Sequence, residues 1–279
     1  MARAAGAVGF LIAGPLAGNV VAGSSGRMGG EGIPALGISP EAAAELGRSA
    51  AGWPRATMTI ETEESPAETE TLVYEFPGQT GEWVVLSAHV DGHDLAESAM
   101  DNGTGLAAVL AVTRALSPLV ASWRRGLRVM FFSVEEWALT GSAQYVEALS
   151  PAERAGIALN VNLDSVAGSP DLAALTSGYA GVEPFLLRVA EANGQKLRAV
   201  RPLMTNSDHA NFAQGGIPAI RLVAGFDDPT ANLRLVLTPA DTRATVEQKD
   251  LRQATLLTAA LVAAACTAEP AEAARWRIR

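Results

Sequence analysis

The sequence predicts an α/β fold of three layers, αβα, built around a mostly parallel mixed sheet. Short apolar runs of strand length occur at Val84 to Val90, Leu127 to Ser133, Ile157 to Leu163 and Ala219 to Val223. Such runs suit strands buried on both faces, as parallel sheets are. Stretches of helical period lie between them, the alternation expected of βαβ units. Clusters of His, Asp and Glu follow the strand runs, and a parallel sheet gathers its functional groups beyond the carboxyl ends of its strands.

Taken in order, the chain opens with a Gly- and Ala-rich segment, 1–62. Val8 to Gly14, after Arg3, resembles a short secretory leader, but Gly9, Gly14 and Pro15 break it. A strand there, a Gly-rich loop, a second strand within Gly32 to Ser39 and a helix from Pro40 to Leu46 account for the segment better, as a small folded unit. An acidic, Thr-rich stretch, Glu61 to Thr71, reads as a solvated hairpin or linker. Residues 63–279 then form one larger domain.

Within that domain Asp101 and Asn102 suit the N-cap of a helix that carries Leu106, Val109, Leu110 and Thr113 on one face. Helices are expected at Gly141 to Leu149, closed by Ser150-Pro151, at Val182 to Asn193, and at Val246 to Ala265. No apolar run reaches the length needed to cross a bilayer.

Bulk properties exclude several classes. A net charge of −9 over 279 residues argues against nucleic acid, whose phosphates need a Lys/Arg surface. A single cysteine, Cys266, allows neither an intrachain disulfide nor a Cys-rich zinc site. It lies in an Ala-rich apolar run and reads as a buried thiol.

The chemistry concentrates around the three histidines, His89, His93 and His209. His89-Val-Asp91 ends the first strand run, and Asp101-Asn-Gly103 follows twelve residues after the histidine. Glu135-Glu136 ends the second run, Asp164 the third, and Ser207-Asp208-His209 opens another segment. A carboxylate at a strand end commonly just caps a helix, and adjacent glutamates are usually solvated surface. Four such clusters together point instead to a divalent metal, because imidazole suits zinc and a carboxylate can bridge two ions. One glutamate of the pair can bind metal while its neighbour takes a proton from metal-bound water.

The order His-x-Asp, Asp-Asn-Gly-x-Gly, Glu-Glu, Asn-Leu-Asp, Ser-Asp-His over residues 84–265 resembles the co-catalytic zinc exopeptidases of the bacterial leucyl aminopeptidase and aminopeptidase Y type. The spacing from His89 to Asp101 is similar to the carboxypeptidase Q branch. Residues 1–62 resemble part of a protease-associated insertion, so that the catalytic domain is expected to lack its N-terminal strands. The resemblance implies that His89 and Asp164 bind one zinc, that Asp101 bridges, and that Glu136 binds a second zinc. It implies Asp91 as the residue that orients His89 and Glu135 as general base, acting on peptide substrates. It also leans toward a periplasmic or secreted location.

One position departs from that pattern. Where the family has a last histidine ligand, this chain has Leu237, in Leu237-Thr-Pro-Ala-Asp-Thr242. One zinc site is therefore expected to be complete and the second doubtful. His209 and His93 are the candidates for a substitute ligand or a substrate contact. The competing expectation is a catalytically impaired relative that binds peptides or a partner. Missing edge strands would also leave an open sheet edge that invites a homo-oligomer.

Overall fold

The computed structural model describes residues 2–22, 32–48, 55–61, 63 and 65–279. The elements are β1 (Phe10–Ala13), β2 (Ala35–Ile38), α1 (Pro40–Arg48), β3 (Leu72–Phe76), β4 (Trp83–His89), α2 (Thr104–Leu116) and β5 (Gly126–Phe132). There follow α3 (Thr140–Ala148), α4 (Pro151–Gly156), β6 (Ile157–Leu163), β7 (Leu172–Leu175), α5 (Glu183–Ala192), β8 (Arg198–Val200), α6 (His209–Gln214), β9 (Ala219–Ala224), α7 (Gln248–Thr267) and α8 (Pro270–Arg275).

Seven strands form one sheet in the order β3-β5-β4-β6-β9-β7-β8. The central strands β5, β4, β6 and β9 are mutually parallel, while β3 pairs antiparallel with β5 and β7 antiparallel with β9. The sheet is thus mixed with a parallel centre. Every residue of β6 and β9 is buried, and so is β4 after Trp83. Burial at consecutive positions means cover on both faces, which explains why these strands read as unbroken apolar runs. Helices α2, α5 and α7 pack together in one layer, and α3 packs with α6 in another.

The four strands expected in the larger domain and the helices α2, α3, α5 and α7 all form, with no expected end displaced by more than two residues. Strands β3, β7 and β8 and the short helices α4, α6 and α8 were not anticipated. Their runs are brief, and β3 exposes Leu72, Val73 and Tyr74, so no buried period marks it. The described part of the segment Glu61 to Thr71 is neither strand nor helix, and Thr69 Oγ1 lies 2.8 Å from Ser133 Oγ in a hydrogen bond.

Two expectations need correction. Asp101 does not cap α2. A single π turn, Ala99–Gly103, precedes that helix, and Asn102 alone caps it by accepting from Gly105 N at 3.0 Å. A helical run of 24 residues, Ala99–Ser122, is also long and apolar enough to cross a membrane. The run joins α2 to a kinked turn, in which Asp101 and Asn102 have non-helical backbone angles, and to a following 3₁₀ turn. Its central helix α2 packs on α7 and β4, the setting of a core helix.

At the N-terminus β1 and β2 pair in parallel as a separate two-stranded sheet followed by α1. The Gly-rich loop expected between these strands lies outside the described residues. Beyond β1 the chain reaches the larger domain, where Ala22 N donates to the carbonyl of Leu237 at 2.7 Å.

Candidate metal centre and its cleft

The adjacent parallel strands β5, β4 and β6 end side by side, and each delivers one part of the site. His89 is the last residue of β4 and is fully buried. Its Nδ1 faces the main-chain carbonyl of Asp91 at 3.1 Å. A carbonyl can only accept, so Nδ1 carries the proton and the lone pair of the neutral ring sits on Nε2. Nε2 in turn lies 3.0 Å from Asp101 Oδ1 and 3.9 Å from Asp164 Oδ1.

The part expected of the Asp91 carboxylate is thus taken largely by its carbonyl, since the carboxylate stands farther off, at 3.6 Å from Nδ1. That carboxylate does something else. Its two oxygens accept from Glu135 N and Glu136 N, both at 3.1 Å, and so fix the turn after β5 against the end of β4. The turn is tight: Val134, Ala138 and Leu139 all adopt left-handed backbone angles. Burial alone would raise the Asp91 carboxyl, but the His89 ring and the two N–H donors hold it below its ordinary value.

Asp101 is presented by the π turn, whose main chain is gripped by a second carboxylate. Asp241 Oδ1 accepts from Met100 N at 2.7 Å and Oδ2 from Asp101 N at 3.1 Å. On the other side, the Asn102 side chain donates to the carbonyl of Leu163 at 2.9 Å, tying the turn to the end of β6. Asp164 follows that strand. Ser165 Oγ donates to its Oδ1 at 3.0 Å, and Arg221 Nη2 lies 3.2 Å from the same oxygen. Burial would raise the Asp164 carboxyl, yet Arg221 and His89 overcome it and keep the group ionised far below the usual range.

Donor atoms of His89, Asp101 and Asp164 therefore converge, all within 4.8 Å of one another. A lone pair on Nε2 aimed at carboxylate oxygens is repulsive unless a cation stands between them. The same crowding explains why the imidazole holds a proton well above its ordinary value, against the effect of its burial. One imidazole and two carboxylates make a three-ligand set, the usual protein contribution to a catalytic zinc site. These residues fit a divalent ion.

The glutamates stand on the rim of the same centre. Burial pushes the Glu135 carboxyl well above its usual value, and the neighbouring Asp164, Asp208 and Asp101 add to the shift. Burial and then Asp101 push Glu136 up to about 8. Glu136 Oε1 is buried and has no hydrogen-bond partner. Both side chains, with Asp101 and Asp164, open into a cleft of about 490 Å³. Leu233, Val236 and Leu237 give the same cleft an apolar wall.

The other two histidines are not brought into the three-ligand group. His93 is half-buried in the loop after β4, and its Nδ1 accepts from Leu95 N at 3.2 Å. His209 begins α6, wholly buried, with neither ring nitrogen partnered. Burial and the nearby Arg221 push it down to about 3. The Ser207-Asp208-His209 cluster follows no strand end, and burial pushes Asp208 up to about 7. It is joined to the sheet instead through a buried polar chain in which Asn160 donates to Ser87, Ser87 to Asn162, and Asn162 to Ser207.

Two residues of the site were not picked out from the sequence. Asp241 stands in the segment Leu237-Thr-Pro-Ala-Asp-Thr242, where nothing in the sequence marks it as the holder of a distant turn. Arg221 carries a signal of its own, as a charged residue inside the apolar run Ala219 to Ala224.

Comparison with known proteins agrees with this geometry. The probable lipoprotein aminopeptidase LpqL of Mycobacterium tuberculosis is 28% identical over 242 residues, covering 80% of this chain and 47% of that protein. Leupeptin-inactivating enzyme 1 of Streptomyces exfoliatus is 31% identical over 185 residues, covering 61% of this chain and 40% of its own length. The chain thus spans less than half of these curated relatives. A zinc aminopeptidase from Bacillus subtilis superposes with a TM-score of 0.73 at 24% identity, over 98% of this chain and 67% of that one, and so shares the fold. The model for peptidase family M28 matches residues 71–262, which takes in β4, the π turn, both glutamates, Asp164 and Arg221, and the chain belongs to that family.

Proposed function

We propose that this chain is a metal-dependent exopeptidase, an aminopeptidase in the first instance, that binds one zinc ion through His89, Asp101 and Asp164. The convergence of those three donors at the ends of β4 and β6 carries the reading. It is supported by family membership and by relatives whose names describe aminopeptidases.

Bound zinc acidifies its water and polarises the scissile carbonyl. The chain's own residues supply the rest. Glu135 is positioned by Asp91 through its own N–H and lies in the cleft, where its raised affinity for a proton suits a base that takes a proton from water. The same carboxyl returns that proton to the leaving amine. Asp91 fixes both the imidazole and the Glu135 turn, so one side chain sets the spacing between metal and base. The apolar wall at Leu233 and Val236 offers a surface for a substrate side chain.

Of the carboxylates that line the cleft with Leu237, Asp101 and Glu136 are the two we assign to a second ion, and Leu237 supplies no donor. Two protein ligands fall short of an ordinary zinc site, so the second ion binds weakly or not at all. A catalytically impaired peptide-binding relative is the reading that this observation favours as the alternative. The lipoprotein named among the relatives supports an extracytoplasmic setting. Residues 1–62 we read as part of a protease-associated unit, since they carry their own small sheet.

The test is hydrolysis of aminoacyl reporter substrates by metal-stripped protein before and after zinc is added. Zinc-dependent hydrolysis supports the enzyme. Tight zinc binding with no hydrolysis of any terminal reporter supports the impaired relative.

A further inference from the structure

Arg221 is the charged group that this scheme leaves unused. It is the third residue of β9, in a strand whose other members are apolar and all of whose residues are buried. A guanidinium stays ionised at any working pH, so burying one is expensive unless it is paired. Here Nη2 lies 3.2 Å from Asp164 Oδ1, Nη1 donates to the carbonyl of Asn206 at 2.8 Å, and Nε is buried without a partner. The side chain lines the same cleft as Asp101, Glu135 and Glu136. A permanent cation is therefore built into the wall of the metal centre, on an oxygen of one of its three ligands.

The charge inventory gives this placement a role. Asp91, Asp101 and Asp164 all lie within 3.9 Å of the His89 ring, three acidic side chains where one divalent ion carries two charges, and Glu135 and Glu136 line the same cleft. A second ion would relieve the excess, but the wall that should hold it is Leu233, Val236 and Leu237. Arg221 supplies positive charge at Asp164 instead. The same guanidinium repels a divalent ion and competes for the carboxylate that both need.

We propose that Arg221 is a positioning residue that stands in for a second ion: it neutralises the cluster through Asp164, limits the centre to one divalent ion, and loosens the hold on that ion. The inference rests on the metal-dependent reading above. Its test is calorimetric titration of the metal-stripped full chain with zinc chloride, for wild type, Arg221→Gln, Arg221→Met and Arg221→Lys, with folding checked by circular dichroism. Arg221→Gln retains a donor for the Asn206 carbonyl and guards against loss of fold in Arg221→Met.

Wild type is expected to bind one ion, the two uncharged variants to bind it roughly tenfold tighter, and Arg221→Lys to stay within roughly threefold of wild type. Tightening separates this role from a structural one, because damage to the centre weakens binding. Unchanged or weaker binding in folded Arg221→Gln overturns the inference, as does a wild type that takes two ions with similar affinity. A wild type that binds no zinc fails the metal-dependent reading itself.

Discussion

His89 and Asp101 are twelve positions apart in the chain, yet His89 Nε2 and Asp101 Oδ1 stand 3.0 Å apart. The contact is made by two tethers that neither residue provides. The Asp91 carbonyl turns the ring, and Asp241 holds the π turn by its main chain. Metal affinity should then depend on groups that never touch the ion.

Asp91→Asn tests that dependence. An asparagine keeps one acceptor oxygen for the N–H pair of Glu135 and Glu136 but turns an NH₂ toward the other. The turn after β5 loosens, and with it the neighbour of His89. Zinc affinity is expected to fall about 10–100-fold, as for other groups that orient metal ligands. Titration with a competing chelator measures it, and an unchanged affinity would show that the carboxylate plays no part.

Glu135→Gln separates binding from chemistry. The amide keeps the shape and the main-chain bond to Asp91 but cannot take a proton. The variant should bind zinc as wild type does, while kcat drops roughly 10²–10⁴-fold. Equal losses of zinc and activity would instead make Glu135 a ligand.

Leu237→His restores the missing donor. Leu237 has φ of 59°, a left-handed conformation that histidine adopts more readily than leucine, so the backbone does not resist the change. With Asp101 and Glu136 it completes three ligands, and metal analysis should rise from one zinc per chain toward two, furthest when Leu237→His is combined with Arg221→Gln. A count that stays at one would mean that the Leu237 side of the cleft cannot reach the ion.

His209 should govern acid sensitivity. Its folded pKa is pushed down to about 3 by burial, whereas an unfolded histidine titrates near 6.5. Below that unfolded value the denatured chain binds a proton that the native one refuses. The stability that rests on a neutral ring is complete above about pH 6.5 and is lost as pH falls toward 3, at roughly 1.4 kcal/mol per unit at most. In His209→Leu the urea midpoint should fall less between pH 6.5 and 4.5 than in wild type. Parallel slopes for the two proteins would refute it.

Much of this was legible in the sequence because a parallel sheet leaves a strong trace. Strands buried on both faces must be apolar throughout, so β4, β5, β6 and β9 stand out, and the residues after the first three name the site. What the sequence hid was of two kinds. Edge strands such as β3 have one open side and short runs, so neither period nor burial marks them. Side-chain duties also depend on distance: that the Asp91 carboxylate holds the Glu135 turn while its carbonyl holds His89 follows only from the fold. Arg221 was visible as an anomaly in β9, but its partner Asp164 is 57 positions away, and only the adjacency of β6 and β9 joins them.

The central claim is that one ion, held by His89, Asp101 and Asp164 and served by Glu135, is enough for hydrolysis. Stepwise addition of zinc to the metal-stripped protein, with the rate on an aminoacyl reporter read at each step, tests it most directly. The rate should climb linearly and level off at one equivalent of zinc per chain. A rate that keeps climbing to two equivalents, or no hydrolysis once the site is full, would contradict the claim.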